Sequence, residues 1–310
     1  MAYNIYTFRW DTTSTKDLAK DGLLRSIFDN TKRKAQTFYK ELVNDLTTKD
    51  EWVKDLQMGG LGEAADLAEG ENIPIQGPTL GGTKTYTQAR SGTGFRMTEK
   101  AERFHKYGPW KRWSADLART MAETKDVAIH TLFNNPTTTS YGVGFDSTYP
   151  LASASHTGLG AGTDGDFDNY LDAALSVSAM EDVRYYFATL KDDMGGLLTA
   201  DPTHLVYNPD LHYKAKQITQ AEYVPFEQSN TPNIVPEMKL KLYEDPRVAA
   251  VTAWFVIAKN DKYDVNVFTA QEPDLLIMDA PDTTRDRIAT SQQWYSYGFG
   301  SARQYFCGNT

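Results

Sequence analysis

The stretch Pro109 to Asn134, PWKRWSADLARTMAETKDVAIHTLFN, constrains the fold more than any other part of the chain. Trp110, Trp113, Leu117, Met121, Ala128 and Leu132 recur mostly every three or four residues, which lays them along one stripe of a helix. Lys111, Arg112, Asp116, Arg119, Glu123 and Lys125 fall largely off that stripe. Gly108 stands where an N-cap belongs. Pro109 suits the first helical position, because its missing N–H would be unpaired there anyway. No Gly or Pro interrupts the run until Asn134-Asn135-Pro136 stops it. At 1.5 Å per residue the rod is roughly 35–40 Å long, more than twice the average globular helix. A rod of that length reads as a spine, and the flanking segments as what it carries.

Before the spine the chain changes character twice. Met1 to Thr13 has no clear period and reads as an arm. Ser14-Thr15-Lys16-Asp17 is placed to cap a helix bearing Leu18, Leu23, Leu24 and Ile27, and Phe38, Tyr39, Leu42 and Val43 suggest a second helix over 31–44. From Glu51 to Thr98 the sequence is polar and punctuated by Gly59-Gly60-Leu61-Gly62, Gly70, Pro74, Gly77-Pro78 and Gly81-Gly82. The β-formers Thr83 to Gln88 and Gly94 to Thr98 lie either side of the turn signal Arg90-Ser91-Gly92, with an earlier strand expected near Ala65–Ile75. This predicts a long β-hairpin with too few apolar residues to bury a core of its own. Such a segment stays mobile or lies on another subunit.

After the spine, Thr137 to Gly165 is rich in Thr, Ser and Gly and reads as loop. Asp168 is expected to cap a helix from Asn169 to Lys191, closed by Gly195-Gly196. His204–Tyr207 reads as a strand, Asn208-Pro209 as the start of a helix to Gln220, and 220–236 as loop. Met238–Tyr243, Val251–Ala258 and Leu275–Met278 read as further strands. The closing stretch Ile288–Phe306 alternates, with Gln293, Tyr295, Tyr297 and Phe299 on one face and Trp294, Ser296, Gly298 and Gly300 on the other.

Composition excludes several classes. The 310 residues are 40 % apolar and 24 % charged, enough to bury a core as one large domain or two smaller ones. The longest apolar runs, Ala249–Val251 and Ala253–Ala258, are far short of a membrane span. MAYNIYTFRWDTT has no basic region followed by an apolar stretch and is not expected to be a signal peptide. Cys307 is single, which excludes an internal disulfide framework; it fits a reducing cytoplasm, and a chance buried thiol reads the same way. The net charge is −9, and the basic triplet Lys32-Arg33-Lys34 and the pair Lys111-Arg112 lie beside acids. A tight DNA grip needs a basic patch, so the charge speaks against one, while an acidic chain still suits enclosing DNA without sticking to it. Eighteen Tyr and six Trp suit a large interface and equally an ordinary core.

Nothing in the sequence requires catalysis. Gly60-Leu61-Gly62-Glu63-Ala64-Ala65 fits the loose dinucleotide pattern, but Glu51 to Leu56 before it is too charged for the buried strand that the pattern needs. In Gly77-Pro78-Thr79-Leu80-Gly81-Gly82-Thr83-Lys84-Thr85 the lysine comes one residue late for a phosphate loop. Asp164, Asp166 and Asp168 start like a calcium loop, yet Asn169 stands where Gly is required and Leu175 where Glu is required. Acids gathered at a helix N-terminus explain them. His105, His130, His156, His204 and His212 have no metal-ligand spacing, and His130 reads as a packed or solvated helix residue. Ser153, Ser155 and His156 are neighbours without a nucleophile elbow. No catalytic residue, cofactor or metal is expected.

The order of parts is more telling: arm and helices, Gly-rich hairpin Gly60–Met97, spine Pro109–Asn134, a mixed region containing the strand–cap–helix run His204 to Leu211, and closing strands Ile288–Phe306. This layout resembles the major capsid proteins of tailed double-stranded DNA bacteriophages, an α+β class with the Hong Kong 97-type fold. The resemblance covers nearly the whole chain and rests on layout, not on a short motif. It implies 1–50 as N-terminal arm and helices, 51–98 as an extended hairpin lying across a neighbouring subunit, 99–136 as the spine of a peripheral domain, 137–270 as an axial domain, and 271–310 as return strands. It implies self-assembly into hexamers and pentamers of an icosahedral head in the virion, put together in the host cytoplasm. A portal protein, a separate scaffold or none (if Met1 is the true start), and a decoration or cement protein are the implied partners, with no membrane. The subunit-contact candidates are Ile73, Ile75, Leu80, Lys84, Tyr86, Phe95, Arg96 and Trp110. Lys84 and Asn309 lie where some relatives cross-link, but no surrounding motif supports that, and no cross-link is expected. Two other readings stand beside this one: an encapsulin-like shell holding cargo enzymes, and, from a different class, an α/β enzyme or calcium module near His156 and the aspartates.

Overall fold

The computed structural model describes residues 13–61, 64, 66–75, 77–104, 108–145, 148–159, 165–198, 200–224, 231–258, 264–279 and 286–308. The expected arm before Thr13, together with His105, Asp164 and Asn309, lies outside them. In chain order come α1 (Thr13–Lys34), β1 (Asn44–Thr47), β2 (Trp52–Met58), β3 (Leu80–Thr87), β4 (Ala89–Met97), α2 (Glu99–Arg103) and α3 (Gly108–Asn134). Then follow β5 (Tyr170–Leu171), α4 (Val177–Thr189), β6 (Pro202–Tyr207), α5 (His212–Gln220), β7 (Lys241–Glu244), β8 (Trp254–Ala258), β9 (Val265–Asp279), β10 (Arg287–Phe299) and β11 (Tyr305–Gly308). These elements fall into two compact units.

The first unit combines 1–37, 89–126 and 270–295. Here β4 runs antiparallel to β10 in unbroken register from Met97 opposite Arg287 to Ala89 opposite Tyr295. One face of this pair packs on the helices: Leu24 and Phe28 of α1, Trp110, Leu117 and Ala118 of α3, and Met97, Leu275 and Ala289 of the strands form one core cluster. Polar groups tie the same layers. The Ser114 hydroxyl donates to the Leu24 carbonyl at 2.8 Å, Gln293 Nε2 donates to the Met121 carbonyl at 3.1 Å, and Arg287 meets Asp21 at 2.6 Å.

The second unit combines 38–88, 127–269 and 296–310. Its centre is a five-stranded sheet in the order β5-β11-β8-β6-β7. Strand β8, Trp-Phe-Val-Ile-Ala, is buried along its whole length, as a continuous apolar run between two covered faces must be. One face packs on Tyr39, Leu42, Val43 and the end of α3 (Ile129, Leu132, Phe133), the other on α4 and α5 through Met180, Val183, Phe187, Ala215 and Ile218. Strand β1 pairs in parallel with the first residues of β9, and β2 pairs antiparallel with β3 as a separate ribbon.

Several expectations change. One helix, α1, replaces the expected two: it ends at Lys34 on the basic turn Lys32-Arg33-Lys34, which suits a C-terminal dipole. Tyr39, Leu42 and Val43 are not on a second helix but in a short 3-10 turn and its exit, where all three are buried. Tertiary burial overrides their helical spacing. The expected hairpin between 83–88 and 94–98 does not form. Strand β3 pairs back with β2, β4 joins β10, and Arg90-Ser91-Gly92 lies inside β4 instead of turning. Gly94 is there for close approach: a Cβ would sit 2.6 Å from the Ala289 carbonyl oxygen. The expected helix from Asn169 starts later, at Val177, where the Ser176 side chain caps the Ala179 N–H. Asn169 is instead buried, bonding Ser153 N, Leu151 O and Ala302 O. Gly195, at φ 87°, turns the chain beyond the helix end at Thr189. The 238–243 strand shortens to β7 after a 3-10 turn at Val235–Met238, and 275–278 is the end of the longer β9. The closing stretch divides into β10 and β11, with Ala302 at φ 61° between them.

Candidate functional site

The ribbon β2–β3 is held to its own unit at several points. Gln57 Nε2 donates to Asp193 Oδ1 at 2.8 Å, and Arg303 donates to the same oxygen at 2.7 Å. Arg303 also donates to the carbonyls of Lys191 and Gly165, and its guanidinium lies 4.3 Å over the Phe167 ring. Gly81 permits this closure, since a Cβ there would sit 2.7 Å from both Gln57 Oε1 and a Leu159 methyl. Further along β3, Lys84 Nζ donates to the Val143 carbonyl at 2.7 Å, and Tyr86 packs on Phe268 with ring centroids 4.9 Å apart. Burial lowers the Lys84 pKa and pushes the Tyr86 phenol up.

Beyond this root, residues 59–79 form no strand among the described residues. Their apolar side chains face outward: Leu61, Leu67, Ile73 and Ile75 are all exposed, Ile75 almost completely at 99 %. Leu80, at the start of β3, is exposed too. The eight contact candidates therefore divide. Ile73, Ile75 and Leu80 are presented to the surroundings. Lys84 and Tyr86 are spent inside the second unit, where a Cβ on Gly298 would meet both. In the first unit Trp110 is buried and Phe95 half-buried in the α1–α3 core, while Arg96 pairs with Asp286 at 2.8 Å. The anchor Gln57–Asp193–Arg303 is invisible to sequence reading, because its members lie far apart in the chain and none sits in a motif.

The residues considered for chemistry have structural duties. His156 is stacked on Phe167 at 4.4 Å and 7°, its Nε2 3.1 Å from Asn169 Oδ1. The Ser153 hydroxyl accepts from the Ser155 N–H at 3.2 Å. Asp166 accepts from Gly158 N and Asp168 from Tyr170 N. His130 is packed, not solvated: it is 1 % exposed and 2.8 Å from Asp245. Lys84 points at a backbone carbonyl and not into a phosphate cradle. Among the described residues no group of three His, Cys, Asp or Glu side chains could hold a metal ion, and no helix is long and apolar enough to cross a membrane.

An anchored ribbon with an outward apolar loop, a long helix packed on a sheet in one unit, and a five-stranded sheet between helices in the other make up the architecture. Solved structures share it. The virus-like particle of Pyrococcus furiosus matches at 8 % identity and a TM-score of 0.54, covering 92 % of this chain and 96 % of that one. The capsid of cyanophage P-SCSP1u matches at 10 % identity and 0.56, covering 88 % of each chain. The procapsid of bacteriophage JBD30 matches at 9 % and 0.55, covering 96 % of this chain and 75 % of that one. The fold is the Hong Kong 97 type. A family model described as phage capsid protein matches residues 82–306, and the chain belongs to that family. No curated protein matches it. The protein is a non-enzymatic structural subunit that associates with its own kind into the shell of a virion.

Proposed function

We propose that the subunit forms the hexamers and pentamers of an icosahedral bacteriophage head that encloses double-stranded DNA. The observation that carries this reading is the loop 59–79, whose isoleucines face water at the end of a ribbon pinned to its own unit. Leaving Ile73 and Ile75 in water forgoes about 1.5–3 kcal/mol for each side chain. A neighbouring subunit that covers them recovers that energy. Ile73, Ile75 and Leu80 thus make the contact, and Lys84 and Tyr86 hold the strand that leads to it.

In this reading the first unit carries the peripheral domain, and the five-stranded sheet with α4 and α5 the axial domain around the capsomer centre. A net charge of −9 suits a wall that must contain DNA without gripping it. A portal, a separate scaffold and a decoration protein are the expected partners, and assembly takes place in the host cytoplasm. Negative-stain microscopy with mass measurement in solution tests the proposal. Closed shells or rings of five and six support it, and a protein that stays monomeric under every assembly condition, with or without co-expressed phage head proteins, overturns it. Shells that copurify with enzymes and no genome would point to a cargo container instead.

A further inference from the structure

We propose that the root of the β2–β3 ribbon is a binding site for one buried water molecule, which accepts from the Nε–H of Arg303 and joins the ribbon to the chain beneath it. The site lies within the second unit and does not depend on how subunits meet.

The donor comes first. Arg303 is 5 % exposed, and its terminal nitrogens are used: they donate to Asp193 Oδ1 at 2.7 Å, to the Lys191 carbonyl at 2.7 Å and to the Gly165 carbonyl at 2.8 Å. Its Nε is buried as well, yet has no hydrogen-bond partner among the described residues. The Phe167 ring, 4.3 Å from the guanidinium carbon, offers a π face but no oxygen. Burying an N–H without an acceptor destabilises a fold, so native proteins pair such a group with a protein atom or an ordered water.

The space comes second. A cavity of about 20 Å³ adjoins this donor, lined by Gln57, His156, Phe167, Asp193, Ser301 and Arg303 among others. One water needs roughly 10–15 Å³ of such space, so the cavity takes one and has no room for an organic group. Cavities that stay dry are apolar, whereas a bound water needs about two to four polar partners. Here the Gln57 amide, the Asp193 carboxylate and the Ser301 hydroxyl stand beside the Arg303 donor.

Charge selects the occupant. Arg303 is already balanced by Asp193 at 2.7 Å, so an anion in the cavity would lie against that carboxylate, and a cation would lie against the guanidinium. A neutral water meets neither penalty. It accepts from Nε–H and returns its two hydrogens to oxygens of the lining. Those oxygens come from separate stretches of the chain: Gln57 from β2, Asp193 from the turn after α4, and Ser301 from the link between β10 and β11 that also carries Arg303. The water therefore completes the anchor of the ribbon at the one Arg303 nitrogen that the direct bonds leave over.

The test is a density map of the full-length protein, sharp enough to show ordered waters, recorded once in chloride and once in bromide. The expected result is a single peak within about 3 Å of Arg303 Nε, of equal height in both salts. A protein oxygen on Nε, or no peak there, overturns the proposal. A peak that grows in bromide also overturns it, because the occupant is then an anion. Nuclear magnetic resonance of the 15N-labelled unassembled subunit decides where such a map is not reached. A cross-peak from water to the Arg303 Nε–H, with the sign of a long-lived contact and retained in Ser301→Ala, supports the site. Its absence refutes the site, and so does its loss in Ser301→Ala, since an exchanging hydroxyl proton was then its source.

Discussion

At the scale of single residues, Arg303 and Asp264 carry the sharpest consequences. Arg303 is buried and gives hydrogen bonds to Asp193, Gly165 and Lys191, so Arg303→Leu takes the cationic partner from a carboxylate, which keeps only Gln57, and a donor from two carbonyls. The expected cost is about 3–5 kcal/mol, read as a lower denaturant midpoint of the unassembled subunit. Arg303→Lys should restore little of it, because a single ammonium cannot reproduce the guanidinium fork. Asp264 behaves differently. Desolvation raises its pKa, against the lowering effects of the Gln304 N–H, Ser301 and Arg303. Its folded pKa lies above the unfolded value of about 3.9. The stabilising contribution of the protonated form is therefore complete below that value and is lost as pH rises through the folded pKa. Asp264→Asn stays neutral, so it should be the more stable protein at pH 7 and should flatten this part of the stability–pH curve. A less stable Asn variant at pH 7 would mean that hydrogen bonds to the carboxylate outweigh its desolvation.

At the scale of elements, strands β3 and β4 show what spacing alone misses. Both read as strands in the sequence, and both are strands. Their partners were not legible, because a local turn signal at Arg90-Ser91-Gly92 competes with two long-range ladders, to β2 and to β10, and the ladders win. A continuous ladder with β10 bonds every second residue of β4 and buries Met97 and part of Phe95 against α3, which a tight turn cannot offer. Gly94 is the weak point of that arrangement. Gly94→Val should disrupt the β4–β10 pairing, since even its Cβ would press on the Ala289 carbonyl. Increased amide exchange confined to β4 and β10 is the expected readout, and unchanged protection there would contradict it. Helix α3 is the opposite case. Its apolar stripe and its stop signal gave its bounds to within a residue, because both are local in the sequence.

At the scale of the whole molecule, stability and assembly should separate. Ile73 and Ile75 are exposed in the subunit, so Ile73→Ser/Ile75→Ser should leave its unfolding midpoint unchanged, within about 0.5 kcal/mol. The same change should abolish or sharply reduce shell formation, measured by light scattering and microscopy. Loss of both properties together would show that the loop supports its own subunit instead. Of the eight residues first marked as contacts, those in the irregular loop are exposed, while Tyr86 and Trp110 are buried within the subunit. Aromatic side chains serve interfaces and cores alike, and only the fold says which.

The sequence by itself determined what depends on neighbours along the chain: the spine, the polar Gly-rich segment before it, the buried β8 run, the lack of a catalytic motif and the layout that resembles a phage capsid protein. Tertiary structure decided which strands pair, where α1 ends, that Asn169 and His156 are structural, and that Gln57, Asp193 and Arg303 meet at the root of the ribbon. The physical reason is range. Periodicity and capping act over a few residues, whereas strand pairing and buried polar bonds join segments that only the folded chain brings together.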